Sequence, residues 1–399
     1  AIRYRIMTDN SIVIVSAART PMAGLQGAFK DVRAPELGAS SIKAVLDRAG
    51  LAPDQVDEVV MGCVLPAGQG QAPARQASRG AGLSDATGCT TINKMCGSGM
   101  KAVMYAHDQI KAGSAEVMVA GGMESMSQAP YLLPKARAGM RMGHGQVIDS
   151  MFFDGLEDAY EGGLMGTFAQ QTADDYAVSR EAMDDFAISS LEKSLAAIKN
   201  GDFADEIAAV TVKSRKGDVQ VDTDEQPGNA RIDKIRSLRP AFKKDGTVTA
   251  ANSSSISDGA SALLMMTEAE AKARGLQPLA RIVAHSTHAQ KPAEFTIAPI
   301  GAVQKVLEKS GWSKDEVDLY EINEAFAVVS MLAISELGLD ADKVNVNGGA
   351  CALGHPIGSS GSRILVTLLY ALKKRGLTKG VASLCIGGGE ATAVAIELI

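Results

Sequence analysis

No apolar run in this 399-residue sequence approaches the roughly 20 residues of a membrane-spanning helix. The longest candidates, such as 381–386 (VASLCI), have the length of core strands. An excess of positive charge is missing too. Forty Lys and Arg stand against 46 Asp and Glu, a net charge of −6, which argues against nucleic acid or an anionic membrane surface as the main partner. Cysteine is sparse. Cys63, Cys89, Cys96, Cys351 and Cys385 are too few for a disulfide framework in a chain this long, and no CxxC or Cys/His metal spacing occurs. No metal is therefore expected, and a reducing, cytoplasmic compartment is. What is present is ordinary soluble composition, 46% hydrophobic and 22% charged, enough for two or three domains with real cores. The opening AIRYRI carries no signal-peptide pattern, and Met7 is the expected natural start.

Strand-like and helix-like patterns alternate through the first 125 residues: an apolar run at 12–16, an amphipathic helix at 35–49, strands at 56–61 and 116–120. This predicts a parallel sheet with crossover helices. A distant repeat sharpens the picture. AVLDRAGLAPDQVDEVV (44–60) aligns without a gap on KVLEKSGWSKDEVDLYE (305–321), matching Gly50 to Gly311, Val56 to Val317 and Asp57 to Asp318. GSGMKAVMYAHDQIKAG (97–113) pairs with SSGSRILVTLLYALKKRG (359–376), and each is followed by an apolar strand ending in glycines. Two matched blocks in the same order imply a duplicated α/β unit about a pseudo-twofold axis. Between the halves, 126–252 is rich in glycine and methionine, with one clear helix at 181–200. An insertion of that length usually carries binding functions. Its segment KARAGMRMGHG (135–145) gathers Lys135, Arg137, Arg141 and His144, either as a solvated basic loop or as a phosphate contact.

Four glycine-framed turns hold reactive side chains. In NKMCGSGM (93–100), Cys96 precedes a predicted helix with Ser98 as its N-cap, a position whose dipole favours thiolate. EINEAFA (321–327) places Asn323 as a helix cap after a strand, NGGACALGHPIGSSGSR (347–363) places His355 before a helix starting near Ser360, and CIGGGEA (385–391) places Cys385 at a strand end. Singly, each also fits a structural role: Cys96 or Cys385 as a small apolar residue, Asn323 as a cap, His355 as a loop hydrogen-bonder. The repeat pairs the Cys96 turn with the His355 turn, which could bring both to one crevice at the strand ends.

Those four motifs, together with SAARTP (16–21), LPAGQGQAPARQA (65–77) and AGGMESMS (120–127), resemble the thiolase family, in particular its biosynthetic members close to acetyl-CoA acetyltransferase. The resemblance covers the chain from about Ser11. It implies an α/β thiolase fold: two βαβαβαββ halves (7–125 with 257–277, and 278–399) in a five-layered αβαβα core, and a CoA-binding loop domain at 126–256. It implies Cys96 as the acylated nucleophile, His355 as the base that takes its proton, and Cys385 as the second acid/base. It further implies one oxyanion hole from His355 and a water on Asn323, and a second from the N–H groups of Cys96 and Gly387. Coenzyme A thioesters are then substrates, with no cofactor and no metal. Ser254, Met165, Leu164, Phe242, Phe326, Phe295 and Lys234 correspond to CoA or acyl contacts. The expected assembly is a homotetramer, with a homodimer as the alternative. The basic loop would lie near nucleotide phosphates.

This chain departs from the family pattern in three places. Leu164 stands where biosynthetic members usually carry histidine, Glu390-Ala391 follows the three glycines, and the spacing around DEQPGNARIDK (224–234) is one residue short. The last departure puts nucleotide contacts there, including Lys234, in doubt. A broad-range 3-ketoacyl-CoA thiolase is the nearest rival. A ketoacyl synthase would lack Cys385, and a catalytically dead CoA-binding relative would not keep Cys96, His355 and Cys385 together.

Overall fold

In the structure, a computed structural model that describes residues 10–399, the two matched sequence blocks fold alike. Met7 lies outside the described residues. The first half runs β1 (Ile12–Arg19), α1 (Ala34–Ala49), β2 (Glu58–Gly62), α2 (Pro73–Gly80), β3 (Gly88–Ile92), α3 (Ser98–Ala112) and β4 (Met118–Ser125). After the insertion, with α4 (Met165–Asp175) and α5 (Arg180–Asn200), β5 (Ser257–Thr267) closes this half. The second half repeats the order as β6 (Ala280–Ala289), α6 (Ala298–Ser310), β7 (Leu319–Ile322), α7 (Ala327–Leu337), α8 (Ile357–Arg375), β8 (Lys379–Ile386) and β9 (Glu390–Leu398). Its third strand is reduced to Val344, which bridges Tyr320 in parallel.

The duplication extends to single hydrogen bonds. Gly50 and Gly311 end α1 and α6 in the left-handed conformation, φ 67° and 73°. Asp57 Oδ2 then accepts from the backbone N–H groups of Glu116 and Val117, and Asp318 Oδ2 from those of Thr378 and Lys379. Each aspartate ties the start of its second strand to the entry of the fourth.

The strands form one mixed sheet in the order β7-β8-β9-β6-β1-β5-β4-β2-β3, with the short strand Ala23–Gly24 beside β5. Among the described residues, the sheets of the two halves pair at Val13–Arg281 and Ile14–Ala280. The predicted parallel pairing holds for β2 with β3 and β4, and for β7 with β8. The remaining pairs are antiparallel. For β8 and β9 the cause is connectivity: they are joined by three glycines, and so short a link permits only a hairpin.

Helices α1 and α2 cover one outer face, with Leu37, Ile42, Val45 and Ala77 in that core. Helix α6 covers the other with Ala302, Val303 and Val306. Between the halves lie α3 and α8, which bury Met100, Val103, Met104, Ile364, Leu365 and Leu368 in a shared core. These layers give the expected αβαβα succession. Helix α8 is buried without interruption from Ile357 to Leu372. Its backbone touches that of α3: a Cβ on Gly99 would fall 2.7 Å from the Ser362 nitrogen. The insertion is anchored to the first half by Arg19, whose buried guanidinium meets Glu206 at 2.6 Å and Asp224 at 2.8 Å.

Candidate active site

The Cys96 turn is held from both sides. Met95 adopts a positive φ of 48°, and the N–H groups of Gly97 and Ser98 donate to the carbonyls of Lys94 and Met95. Ser98 is not the N-cap. Gly97 occupies that position, and Ser98 Oγ accepts from the Lys94 N–H (2.8 Å) and donates to the Met95 carbonyl (2.7 Å). The hydroxyl thus braces the turn rather than the helix. Burial pushes the Cys96 thiol up, hydrogen bonds from the N–H groups of Gly387 and Cys96 pull it back, and Glu124 raises it again, to about 11. The expected preference for thiolate at a helix start loses to desolvation, so the resting group is a thiol.

His355 is fixed through its backbone and its ring. Its N–H is shared between the Ser255 carbonyl and Ser257 Oγ, both at 3.1 Å. Its Nδ1 contacts Ser360 Oγ, which itself donates to the Pro356 carbonyl at 3.1 Å. Because the serine proton is used on that carbonyl, we assign the imidazole proton to Nδ1. The Nε2 lone pair is then free, and that buried atom has no partner among the described residues. Burial first, then the nearby Arg363 charge, lowers the ring to about 3, so it is neutral.

Asn323 follows β7 but does not cap α7, whose N-cap is Phe326. Its N–H donates to the Ser383 carbonyl, while both atoms of its side-chain amide are buried without a partner among the described residues. Cys385 ends β8, fully buried; burial and then the adjacent Cys96 raise its thiol well above the ordinary value.

These turns open on a cavity of about 840 Å³, within the range of small-molecule sites. Cys96, His355, Gly387 and Ser254 line it. Leu164, Met165, Phe242, Phe295 and Phe326 supply apolar wall, with Phe326 edge-on to Phe242 and Phe295 at 6.2 and 6.5 Å. Cys385 and Asn323 are not on the lining; Cys385 packs with Phe326 and Met165 behind the surface. Lys234 also stands outside it, exposed on the turn Ile232–Ser237. Lys135, Arg137, Arg141 and His144 are all exposed. The segment 253–256 stitches the wall together: Ser253 bridges Phe326, Ser254 N–H donates to the Ala325 carbonyl, and Ile256 bridges His355.

Three features escaped the sequence. Ser360, legible in the sequence only as a helix start, holds the His355 ring through its Nδ1. Glu124, inside a matched motif, has a buried carboxylate that accepts from Val64 and Gly358 N–H (2.9 Å each) and from Leu65 N–H (3.1 Å), clamping a first-half loop to the start of α8. Glu390, noted only as a departure, pairs with Lys94 at 3.0 Å and so joins the β8–β9 hairpin to the Cys96 turn.

Comparison with known proteins agrees with this architecture from end to end. Residues 12–269 match the thiolase N-terminal domain and residues 276–398 the thiolase C-terminal domain. The acetyl-CoA acetyltransferase of Rhizobium meliloti is 52% identical over 98% of this chain and 100% of its own length. That of Pseudomonas aeruginosa is 50% identical, over 96% and 98%. The crystal structure of the Bacillus anthracis acetyl-CoA acetyltransferase superposes with a TM-score of 0.95 at 43% identity, covering 98% of this chain and 99% of that one. With both halves matched and the duplicated core in place, the chain belongs to the thiolase family.

Proposed function

We infer that the protein is an acetyl-CoA C-acetyltransferase, condensing two acetyl-CoA to acetoacetyl-CoA and, in reverse, cleaving acetoacetyl-CoA by thiolysis. The observation that carries this is the meeting of Cys96, a neutral His355 with a free Nε2 and the Gly387 N–H in one apolar-walled cavity, with Cys385 directly behind. The full-length relatives named above are acetyl-CoA acetyltransferases, which disfavours the broad-range 3-ketoacyl-CoA reading.

In the proposed reaction, Cys96 attacks the acetyl thioester while His355 Nε2 takes the thiol proton, then returns it to the departing CoA sulfur. The N–H groups of Cys96 and Gly387, already directed at the Cys96 sulfur, receive the oxyanion of each tetrahedral intermediate. Cys385, after releasing its own proton to solvent, removes the α-proton of the second acetyl-CoA as a thiolate. A thiol raised by burial is the stronger base once deprotonated, which suits so weak a carbon acid. The enolate carbon then attacks the acetyl carbonyl on Cys96, forming the C–C bond as the C–S bond breaks, and the expelled Cys96 thiolate takes up a proton to restore the resting thiol. Asn323, with its amide uncommitted, is suited to hold a water that joins His355 in stabilising the enolate oxygen. No metal or bound cofactor is required, since the CoA thioester is itself the substrate. Ser254 and the Leu164–Met165 wall would hold the pantetheine arm, and Phe242 the adenine end.

We further propose a cytoplasmic homotetramer, or failing that a homodimer. The exposed Leu133 and Met142, beside and within the basic loop, and the five free cysteines support this. No described helix is long and apolar enough to cross a membrane. Light scattering on the purified protein tests the assembly. For the reaction, Cys385→Ala should still acquire an acetyl group on Cys96 from acetyl-CoA, seen by intact-mass spectrometry, but form no C–C bond. Condensation by that variant at the wild-type rate would refute the role given to Cys385.

A further inference from the structure

A polar cluster lies outside the cavity, where α3 of the first half meets β6 of the second. Asp108 Oδ1 faces both His107 Nδ1, at 2.9 Å, and His285 Nε2, at 2.8 Å. The two imidazoles meet edge to face, with centroids 5.1 Å apart. They are 178 positions apart in sequence (285 minus 107), and an irregularity in β6 brings them together. Ala280 and Ile282 face the central core, and strict alternation would send His285 to the opposite face. The register with β9 shifts between Ile282 and Ala284. Ala284 consequently packs on the outer core, and His285 turns inward against α3. A bulge that re-aims one side chain is a frequent mark of a functional position.

We propose that His107, Asp108 and His285 form a binding site for a divalent transition-metal ion, with Zn²⁺ as the best match. Each residue offers one ligand atom, and the three atoms lie within 4.8 Å of one another. Two imidazole nitrogens and one carboxylate oxygen suit a borderline ion, whereas Mg²⁺ and Ca²⁺ require mainly oxygen. Tetrahedral Zn²⁺ with bonds of about 2.0–2.1 Å needs its donors roughly 3.3 Å apart. The two contacts to Asp108, at 2.9 and 2.8 Å, would lengthen by a few tenths of an ångström, and the two ring nitrogens would settle at the same spacing from within 4.8 Å. Asp108 is exposed while both rings are partly sheltered, so an ion can enter from solvent and keep water in the fourth position. Lys111 repels positive charge at His107, and Lys309 Nζ donates to the His285 carbonyl at 3.0 Å. These cations weaken the site without occupying a ligand position. The bound ion would cross-link the two halves at the helix that begins beside Cys96. This binding is independent of the proposed reaction.

The test uses the full-length protein after EDTA treatment, titrated calorimetrically with Zn²⁺ and spectroscopically with Co²⁺. Co²⁺ separates this cluster from the Cys96 and Cys385 thiols, since only sulfur ligation gives an intense thiolate charge-transfer band. Wild type should bind one Zn²⁺ that raises its melting temperature, with Co²⁺ visible bands free of that thiolate feature. His285→Ala should lose at least tenfold in affinity together with the thermal shift, and Asp108→Asn should weaken binding while preserving the fold. Unchanged Zn²⁺ binding in both variants, or a Co²⁺ spectrum showing thiolate ligation alone, would overturn the proposal. If His285→Ala does not fold, Asp108→Asn decides by the same criteria.

Discussion

Ser360→Ala is the sharpest probe of the active-site geometry, because it touches no substrate and removes one oxygen. In the wild type that oxygen receives the His355 Nδ1 proton while its own hydrogen goes to the Pro356 carbonyl. Alanine leaves Nδ1–H buried without an acceptor. Such an orphaned donor costs about 1–3 kcal/mol, and the ring can escape the cost by moving its proton to Nε2 or rotating. Either response removes the lone pair proposed above to receive the Cys96 proton. Translated into rate at about 1.4 kcal/mol per decade, kcat for acetoacetyl-CoA thiolysis should fall about 5- to 150-fold, with KM nearly unchanged. Iodoacetamide capture of Cys96 should slow in parallel, since it depends on the same proton transfer. The assay is steady-state thiolysis with a matched alkylation time course, and a melting curve to confirm folding. A variant that keeps wild-type kcat and alkylation rate would refute the tautomer assignment and the role built on it.

Other measurements reach further residues. Leu164 presents a branched apolar surface to the cavity, and each added methylene gains roughly 0.8 kcal/mol there, about fourfold. The protein should therefore retain activity on 3-ketohexanoyl-CoA, and Leu164→His should lower the C6-to-C4 ratio of kcat/KM; an unchanged ratio rejects Leu164 as a determinant. Burial raises the Glu124 carboxyl from 4.5 to about 7, so its protonation stabilises the folded state below pH 4.5, and that contribution is lost as pH rises through 7. The loss is on the order of 3 kcal/mol, and Glu124→Gln should flatten the decline in urea-unfolding stability from pH 5 to 8 even if the variant is less stable throughout; an identical slope would contradict the buried carboxyl. His355 acts in the opposite direction. Lowered from 6.5 to about 3, it favours the folded state above pH 6.5 and loses that contribution as pH falls toward 3, so His355→Asn should soften the acid limb of the same curve.

The sequence was most informative where chemistry and backbone constraint coincide. Glycine-framed turns mark Cys96, Asn323, His355 and Cys385, because each reactive side chain sits where a strand must reverse into a helix or hairpin. The repeat predicts the duplication down to the paired aspartates Asp57 and Asp318. Strand direction was less legible, since apolar periodicity carries no sign and only the three-glycine link forces β9 antiparallel. Helix α4 went unread: it begins Met-Gly and owes its stability to Ala169, Ala173 and Phe168 packing beneath Phe295 and Phe326. Ser360, Glu124, and the Lys94–Glu390 and His107–Asp108–His285 groupings depend on contacts between residues far apart in sequence or on the atomic placement of one hydroxyl. No local pattern encodes those.

The close crossing of α3 and α8 bears on how the chain emerges during synthesis. A nascent chain released as far as residue 350 already contains Cys96, α3 and every strand of the first half. It lacks the helix that covers Met100, Val103 and Met104. Until α8 arrives, α3 has only the strands of its own half to pack on, and the part of its apolar face that meets α8 is open to other emerging chains. The backbone fit at Gly99 and Gly361 leaves little room for a substitute. Productive folding is thus deferred almost to the end of translation, and crowding or slow elongation over the last fifty residues should lower the yield of active protein without altering the activity of molecules that succeed.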